Sequence, residues 1–164
     1  MIFGMTALTF VHVVLSLVGL GSGFVVVFGL LTRKRLDGWT LLFLVTTIAT
    51  SLTGFLFPFR DFLPSHAVGI LSLIILAVAL VARYVRRLAG AWRRTYAVCA
   101  VTALYLNFFV LIVQLFLKVP VLNAAAPTQS EPPFLLTQLF FLVLFLAVGI
   151  AAAIRFRTEQ FQVA

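Results

Sequence analysis

The stretch Ala82-Arg83-Tyr84-Val85-Arg86-Arg87-Leu88-Ala89-Gly90-Ala91-Trp92-Arg93-Arg94-Thr95-Tyr96 decides how this chain is read. Five arginines, a glycine breaker and interfacial aromatics separate two apolar runs, each close to the roughly 20 residues a helix needs to cross a bilayer. Outward from it, apolar runs at 1–31, 40–57, 67–82, 96–117 and 134–154 are punctuated by short polar connections. The connection before the second run carries Arg33, Lys34 and Arg35, and the tail carries Arg155 and Arg157, whereas the two remaining connections carry only Arg60 and Lys118. Basic residues near span ends are retained in the cytoplasm. The spacing therefore predicts an all-α bundle of five transmembrane helices, N-terminus outside and C-terminus cytoplasmic, with spans near 8–31, 40–57, 66–84, 95–117 and 134–154.

Composition agrees. With 63% hydrophobic and 10% charged residues and a mean hydropathy of +1.21, the chain has too little polar surface to cover a soluble globule. A net charge of +8 would suggest nucleic acid in a soluble domain. Here the arginines flank apolar spans, so anionic lipid headgroups are the expected partner and nucleic acid is not. The first run lacks a basic leader and a cleavage pattern, and three basic residues follow it, so it reads as a retained helix. Cys99 is the only cysteine; no intrachain disulfide is possible, and it reads as a small buried hydrophobe.

The breakers set the connections. Arg33-Lys34-Arg35-Leu36-Asp37-Gly38 forms a hairpin, and Trp39 restarts the chain at the interface. Pro58 and Pro64 bracket a short link in which Arg60 and Asp61 pair or cap a helix, and Ser65 can cap the next helix. Residues 118–133 hold Pro120, Pro127, Pro132 and Pro133 and form the longest loop, able to lie across the bundle as a lid. No internal repeat is evident, and no connection is long enough for a soluble domain, so residues 1–164 form one domain. Gly19 with Gly23, Ala147 with Ala151, and Gly149 with Ala153 set small residues four apart, where helices approach closely or the chain self-associates.

Polar residues inside the spans are the material for a site. His12, Thr53, His66, Gln114 and Gln138 each stand 17 to 21 residues from an arginine at the cytoplasmic end of their own span, a spread of about 6 Å in height. Every helix thus puts one polar side chain in a layer near the outer face. The inner half offers only Thr46, Thr47, Cys99, Thr102 and Tyr105. Helical phase aligns His12, Ser16, Gly19 and Gly23 on one stripe, Thr46, Thr50 and Thr53 on another, and Ala100, Ala103, Asn107 and Gln114 on a third. Polar side chains facing hydrocarbon are costly, so these stripes should face each other or water. The expectation is an outward-opening polar pocket lined by His12, Thr53, His66, Asn107, Gln114 and Gln138 and roofed by residues 118–133.

Plainer roles compete at each position. Threonines in membrane helices bond back to the preceding turn, Asn107 and Gln114 serve as interhelical hydrogen-bond glue, and His66 can be an interfacial residue. The sharper alternative joins His12 and His66 as axial ligands of a b-type haem; a quinone pocket of His12, Gln114 and Tyr105 is another. Two histidines fall short of a zinc set. No span contains a carboxylate, which disfavours membrane-embedded hydrolases and proton-coupled transport, although a small-solute carrier stays open.

The segments Gly29-Leu30-Leu31-Thr32-Arg33 and Pro127-Thr128-Gln129-Ser130-Glu131-Pro132-Pro133-Phe134 give the chain a text that resembles small multi-pass inner-membrane proteins of bacteria. That resemblance implies the topology and the bacterial inner membrane, and brings no assigned chemistry. The expected role is a non-enzymatic membrane subunit or binding protein for a lipid-like or small ligand, with no cofactor, as a homo-oligomer or within a larger membrane complex. Haem b or quinone belongs to the redox alternative.

Overall fold

A computed structural model describes residues 6–57 and 64–156. Its order is α1 (Ala7–Leu31), α2 (Asp37–Gly54), α3 (Pro64–Leu80) continued by a π-helical turn (Val81–Val85), α4 (Trp92–Lys118), a short α5 (Pro120–Ala125) and α6 (Pro132–Arg155). The Arg60–Asp61 pair, Arg157 and Glu159 lie outside the described residues, as does the side chain of Ser65.

Local chemistry fixes the boundaries. The Thr6 hydroxyl accepts from the Thr9 amide and caps α1. Asp37 and Gly38 belong to α2 rather than to a hairpin: Asp37 occupies the first turn, where a carboxylate suits the positive end of the helix dipole. The turn before it is tightened by Arg33 at φ 60° and by the Lys34 amide on the Gly29 carbonyl at 2.8 Å. Helix α2 also stops at Gly54, three residues before the apolar run ends. Pro132 and Pro133 open α6, since a helix's first turn needs no amide donor from them. Gly90 takes a positive φ of 53° between α3 and α4.

Four helical segments are long and apolar enough to cross a membrane: Ala7–Leu31, His66–Val85, Trp92–Lys118 and Pro132–Arg155. Helix α2 differs in composition, because its 18 residues include Asp37, Ser51 and threonines at 40, 46, 47, 50 and 53. Most of these hydroxyls are nevertheless satisfied within the helix itself. Thr46, Thr50, Ser51 and Thr53 each donate to a carbonyl four residues back, at 2.7–3.0 Å.

Cross-helix contacts give the arrangement. His12 meets Thr53, Gly19 faces Thr46 and Thr47, and Gly23 faces Phe43, so α1 and α2 run antiparallel. Ser51 meets Ser72 and Asp37 meets Arg83, which sets α3 antiparallel to α2. Helix α4 packs on both α3 and α1, closing a ring of four, and α6 lies outside that ring against α4 and, to a lesser degree, α1. The long helices therefore alternate in direction.

One end of the bundle is basic, carrying the turns with Arg33, Lys34, Arg86, Arg87, Arg93 and Arg94. Beneath it lies the densest packing. Phe43, Ala79, Ala82, Ala97, Ala100, Ala103 and Leu104 are fully buried, and the alanines on α3 and α4 let those helices come close. Gly23 is part of this plug: a Cβ there would stand 2.6 Å from Leu104 Cδ1 and 2.9 Å from Phe43 Cε2. The Gly19/Gly23 pair is thus used up inside the chain, which corrects the expectation that it supports self-association. Arg83, its side chain only 6% exposed, pairs with Asp37 of α2 and stands 5.3 Å from the Tyr96 ring centroid, a cation–π arrangement. Large apolar side chains line the outside of the bundle, among them Phe28, Leu136, Phe140, Val143 and Ile154, as expected for a surface that meets lipid.

Candidate functional site

At the opposite end the four-helix ring is hollow. A cavity of about 570 Å³ lies among α1, α2, α3 and α4 and is lined by His12 and Ser16 of α1, Thr50, Ser51 and Gly54 of α2, His66 and Ser72 of α3, and Asn107, Gln114 and Lys118 of α4. Val13, Phe55, Val110 and Leu111 supply apolar wall between them. The size falls within the range of small-molecule pockets, which combine apolar walls with a few placed polar groups. Gln114 and Lys118 are exposed at the mouth, whereas Asn107 is buried near the floor.

The floor is held by a reciprocal pair. The Ser16 hydroxyl donates to Asn107 Oδ1 at 2.8 Å, and Asn107 Nδ2 donates to the Ser16 carbonyl at 3.2 Å. Gly19 lies directly below, where a Cβ would come within 3.1 Å of Thr47 Oγ1 and 3.2 Å of Asn107 Nδ2. Unlike the other threonines in the interior stretch of α2, Thr47 does not bond back to its helix, and its buried hydroxyl has no hydrogen-bond partner.

His12 is oriented by α2. Its Nδ1 lies 2.9 Å from Thr53 Oγ1, and that hydroxyl also lies 2.8 Å from the Ala49 carbonyl, to which it donates. A hydroxyl with one proton committed to a carbonyl must accept from the ring. The tautomer with its proton on Nδ1 satisfies both contacts at once, and in that tautomer Nε2 carries the lone pair. Phe57 stands edge-on to the ring at 5.3 Å. His66 is buried and stacks on Phe55 at 6.0 Å and 27°.

The structure brings together most of the residues expected to share a layer. His12, His66, Asn107 and Gln114 line one cavity, and Thr53 stands behind His12. Gln138 does not join them. Its amide donates to the Phe109 carbonyl at 3.4 Å, between α6 and α4, and its Oε1 is buried without a partner. Height placed Gln138 correctly, but α6 lies outside the ring. Tyr105 also faces away, into a groove shared with α6, so the trio His12, Gln114 and Tyr105 is not assembled.

The lid is corrected as well. From residues 118–133 only Lys118 lines the cavity; the rest folds back on α4 and α6. Asn123 donates to the Phe116 carbonyl at 3.2 Å and Gln129 to the Val113 carbonyl at 2.9 Å. Ala126 is buried with Ile112, Phe116 and Phe134. Glu131 accepts from the Thr128 hydroxyl and from the Thr128 and Ser130 amides. Desolvation is the largest single influence and raises its carboxyl, but these bonds together outweigh it and hold the group below the usual carboxylate range.

Among the described residues no three of His, Cys, Asp and Glu converge as a metal-ligand group. Fold and site together define a helical bundle of membrane character with a polar-floored cavity at one end. No family model, no curated protein and no solved structure matches this chain.

Proposed function

We propose that this chain is a five-span protein of the bacterial inner membrane, N-terminus outside, that binds a lipid-like or small amphipathic ligand in the cavity among α1–α4 without transforming it. The single observation that carries the reading is the convergence of His12, His66, Asn107 and Gln114 on one cavity. Its walls are mainly apolar, and no carboxylate is among the described residues that line it.

Two observations support reading α2 as the fifth span. It runs antiparallel beside α1 from the Gly29–Leu36 contact to the His12–Thr53 bond, and its 18 residues cover about 27 Å. The basic end faces the cytoplasm and anionic headgroups, so the cavity opens outward. Association with a second copy or a larger complex uses the exposed face of α6, since Gly19 and Gly23 are buried.

The test is a photo-crosslinking residue at Val13, in the cavity wall, against the same residue at Val143, on the lipid face. A distinct adduct at Val13, absent at Val143, supports the reading. The same bulk-lipid profile at both positions contradicts it.

One observation favours a redox reading second. His12 Nδ1 is held by Thr53, the kind of outer bond that orients a ligating imidazole and leaves Nε2 for a metal. His66 lines the same cavity, so a b-type haem held by the two histidines, or a quinone against His12 and Gln114, fits this chemistry. A Soret band with sharp reduced bands, lost in His12→Ala, establishes haem. A featureless spectrum from protein made with ample haem removes it.

A further inference from the structure

A second space lies on the other side of α4. Helices α3 and α6 both pack on α4, and along α4 and α6 runs a groove of about 560 Å³ whose walls include Val98, Val101, Phe145, Gly149 and Ile150, with Leu71 the one lining residue from α3. Arg94 lines its basic end. From Arg94 to Leu106, which lines the far end, is twelve residues along α4, or about 18 Å. One leaflet of a bilayer's hydrocarbon core is about 15 Å deep. The groove therefore runs from headgroup level to the mid-plane within a single leaflet.

Charge distinguishes its open end from the neighbouring cations. Arg83 and Arg35 both reach Asp37, Arg93 donates to the Leu88 carbonyl, Arg155 donates to the Leu31 carbonyl, and Arg86 lies over Trp92. The guanidinium of Arg94 has no ion-pair or hydrogen-bond partner among the described residues, a state it shares with Arg87, but of the two only Arg94 lines the groove. It is an exposed guanidinium at the head of an apolar slot. A guanidinium matches a phosphate diester in charge and in hydrogen-bond geometry.

Small side chains open the slot. Gly149 of α6 faces Val101 of α4, where a Cβ would make ordinary contact with Cγ1 at 3.6 Å and a longer side chain would enter the slot, and Ala153 continues the opening toward Arg94. We infer that this groove is a specific site for one anionic diacyl phospholipid, with an acyl chain along the α4–α6 groove and its phosphate on Arg94. The site is separate from the cavity among α1–α4.

The experiment titrates delipidated full-length protein with palmitoyl-oleoyl-phosphatidylglycerol or the matching phosphatidylcholine and counts retained lipid by native mass spectrometry. The expected result is one phosphatidylglycerol held at least tenfold more tightly than phosphatidylcholine. Arg94→Gln, a change at an exposed side chain, abolishes that preference. Gly149→Leu fills the slot and lowers retention of both lipids about tenfold, whereas Ala147→Leu, outside the groove, leaves retention unchanged. Equal retention of the two lipids by the wild type overturns the inference. So does phosphatidylglycerol retention unaffected by both Arg94→Gln and Gly149→Leu, or a dimer that occupies the groove in place of lipid.

Discussion

The two halves of the four-helix ring are built from the same helices and packed to opposite ends. Toward the basic end, Phe43, Leu44, Leu76, Ala79, Ala97, Ala100 and Leu104 leave almost no accessible surface, and the Asp37–Arg83 pair ties α2 to α3. Toward the histidine end, the same helices separate around a cavity of about 570 Å³ whose contacts are hydrogen bonds between small polar side chains. Close packing and open space are thus divided between the two halves. Lipid gives helices little hydrophobic reason to associate, so close packing of small residues must hold the bundle. Concentrating that packing in one half frees the other to remain open.

Glycine substitutions probe this division most strongly. Leucine at Gly23 must displace Leu104 and Phe43, which a Cβ alone would meet at 2.6–3.0 Å; overpacking of this kind costs about 3 kcal/mol. Leucine at Gly54 enters the cavity, with the nearest atom, His12 Cε1, 3.7 Å from the Cβ position. It should shift stability by no more than about 0.5 kcal/mol while blocking the cavity. Unfolding in detergent checks the first effect and ligand crosslinking at Val13 the second. Equal destabilisation by the two changes would erase the contrast between the halves.

The Asp37–Arg83 pair comes next, and its asymmetry sets the direction. The Arg83 side chain is 6% exposed and Asp37 is 68% exposed. Asp37→Asn strands a buried cation and should destabilise by about 2 kcal/mol, below the usual range for fully buried pairs because Asp37 is solvated. Arg83→Met replaces the buried charge by an apolar chain and should be the milder change in the same assay. The reverse order would mean that Arg83 acts through its contacts with Tyr84 and Tyr96 more than through the carboxylate.

In the open half, single polar contacts weigh less. Asn107→Leu removes both bonds to Ser16 and should cost about 1 kcal/mol, within the range for interhelical hydrogen bonds in membranes. A loss as large as that of Gly23→Leu would make the cavity floor the keystone of the fold.

The smallest effect lies outside both halves, at Glu131. Its folded pKa is depressed, so its contribution is present above the unfolded value and is lost as pH falls through the folded one. Below the folded-state pKa, and equally in Glu131→Gln, the Thr128 and Ser130 amides should lose protection relative to their intrinsic exchange rates. Protection that does not change with pH would remove Glu131 from the loop's support.

Much of this was legible in the sequence, for identifiable reasons. Apolar runs and basic turns located the five long helices within a few residues, because hydrocarbon admits almost no other backbone. Height, counted from the arginines, put His12, His66 and Gln114 in one layer, and helical phase added Asn107. Azimuth between helices was not legible. Gln138 and Tyr105 have the right depth or chemistry, but α6 packs outside the ring and Tyr105 faces that side. The lid failed for a similar reason: Asn123 and Gln129 find carbonyls on α4, which nothing in a proline-rich loop announces. The Asp37–Arg83 pair was also missed. The single acid opening α2 and the first arginine ending α3 were its only signal, and both had been read as connection.

The central claim is that the histidine-end cavity opens to the outside of the membrane while the basic end stays closed and cytoplasmic. Single cysteines at Gln114, Val110, Leu104 and Arg87, in a Cys99→Ala background, can be exposed to a membrane-impermeant maleimide on intact cells. The account predicts labelling at Gln114 and Val110, none at Leu104, and labelling at Arg87 only after the membrane is breached. Labelling of Arg87 from outside, with Gln114 and Val110 protected, would contradict it.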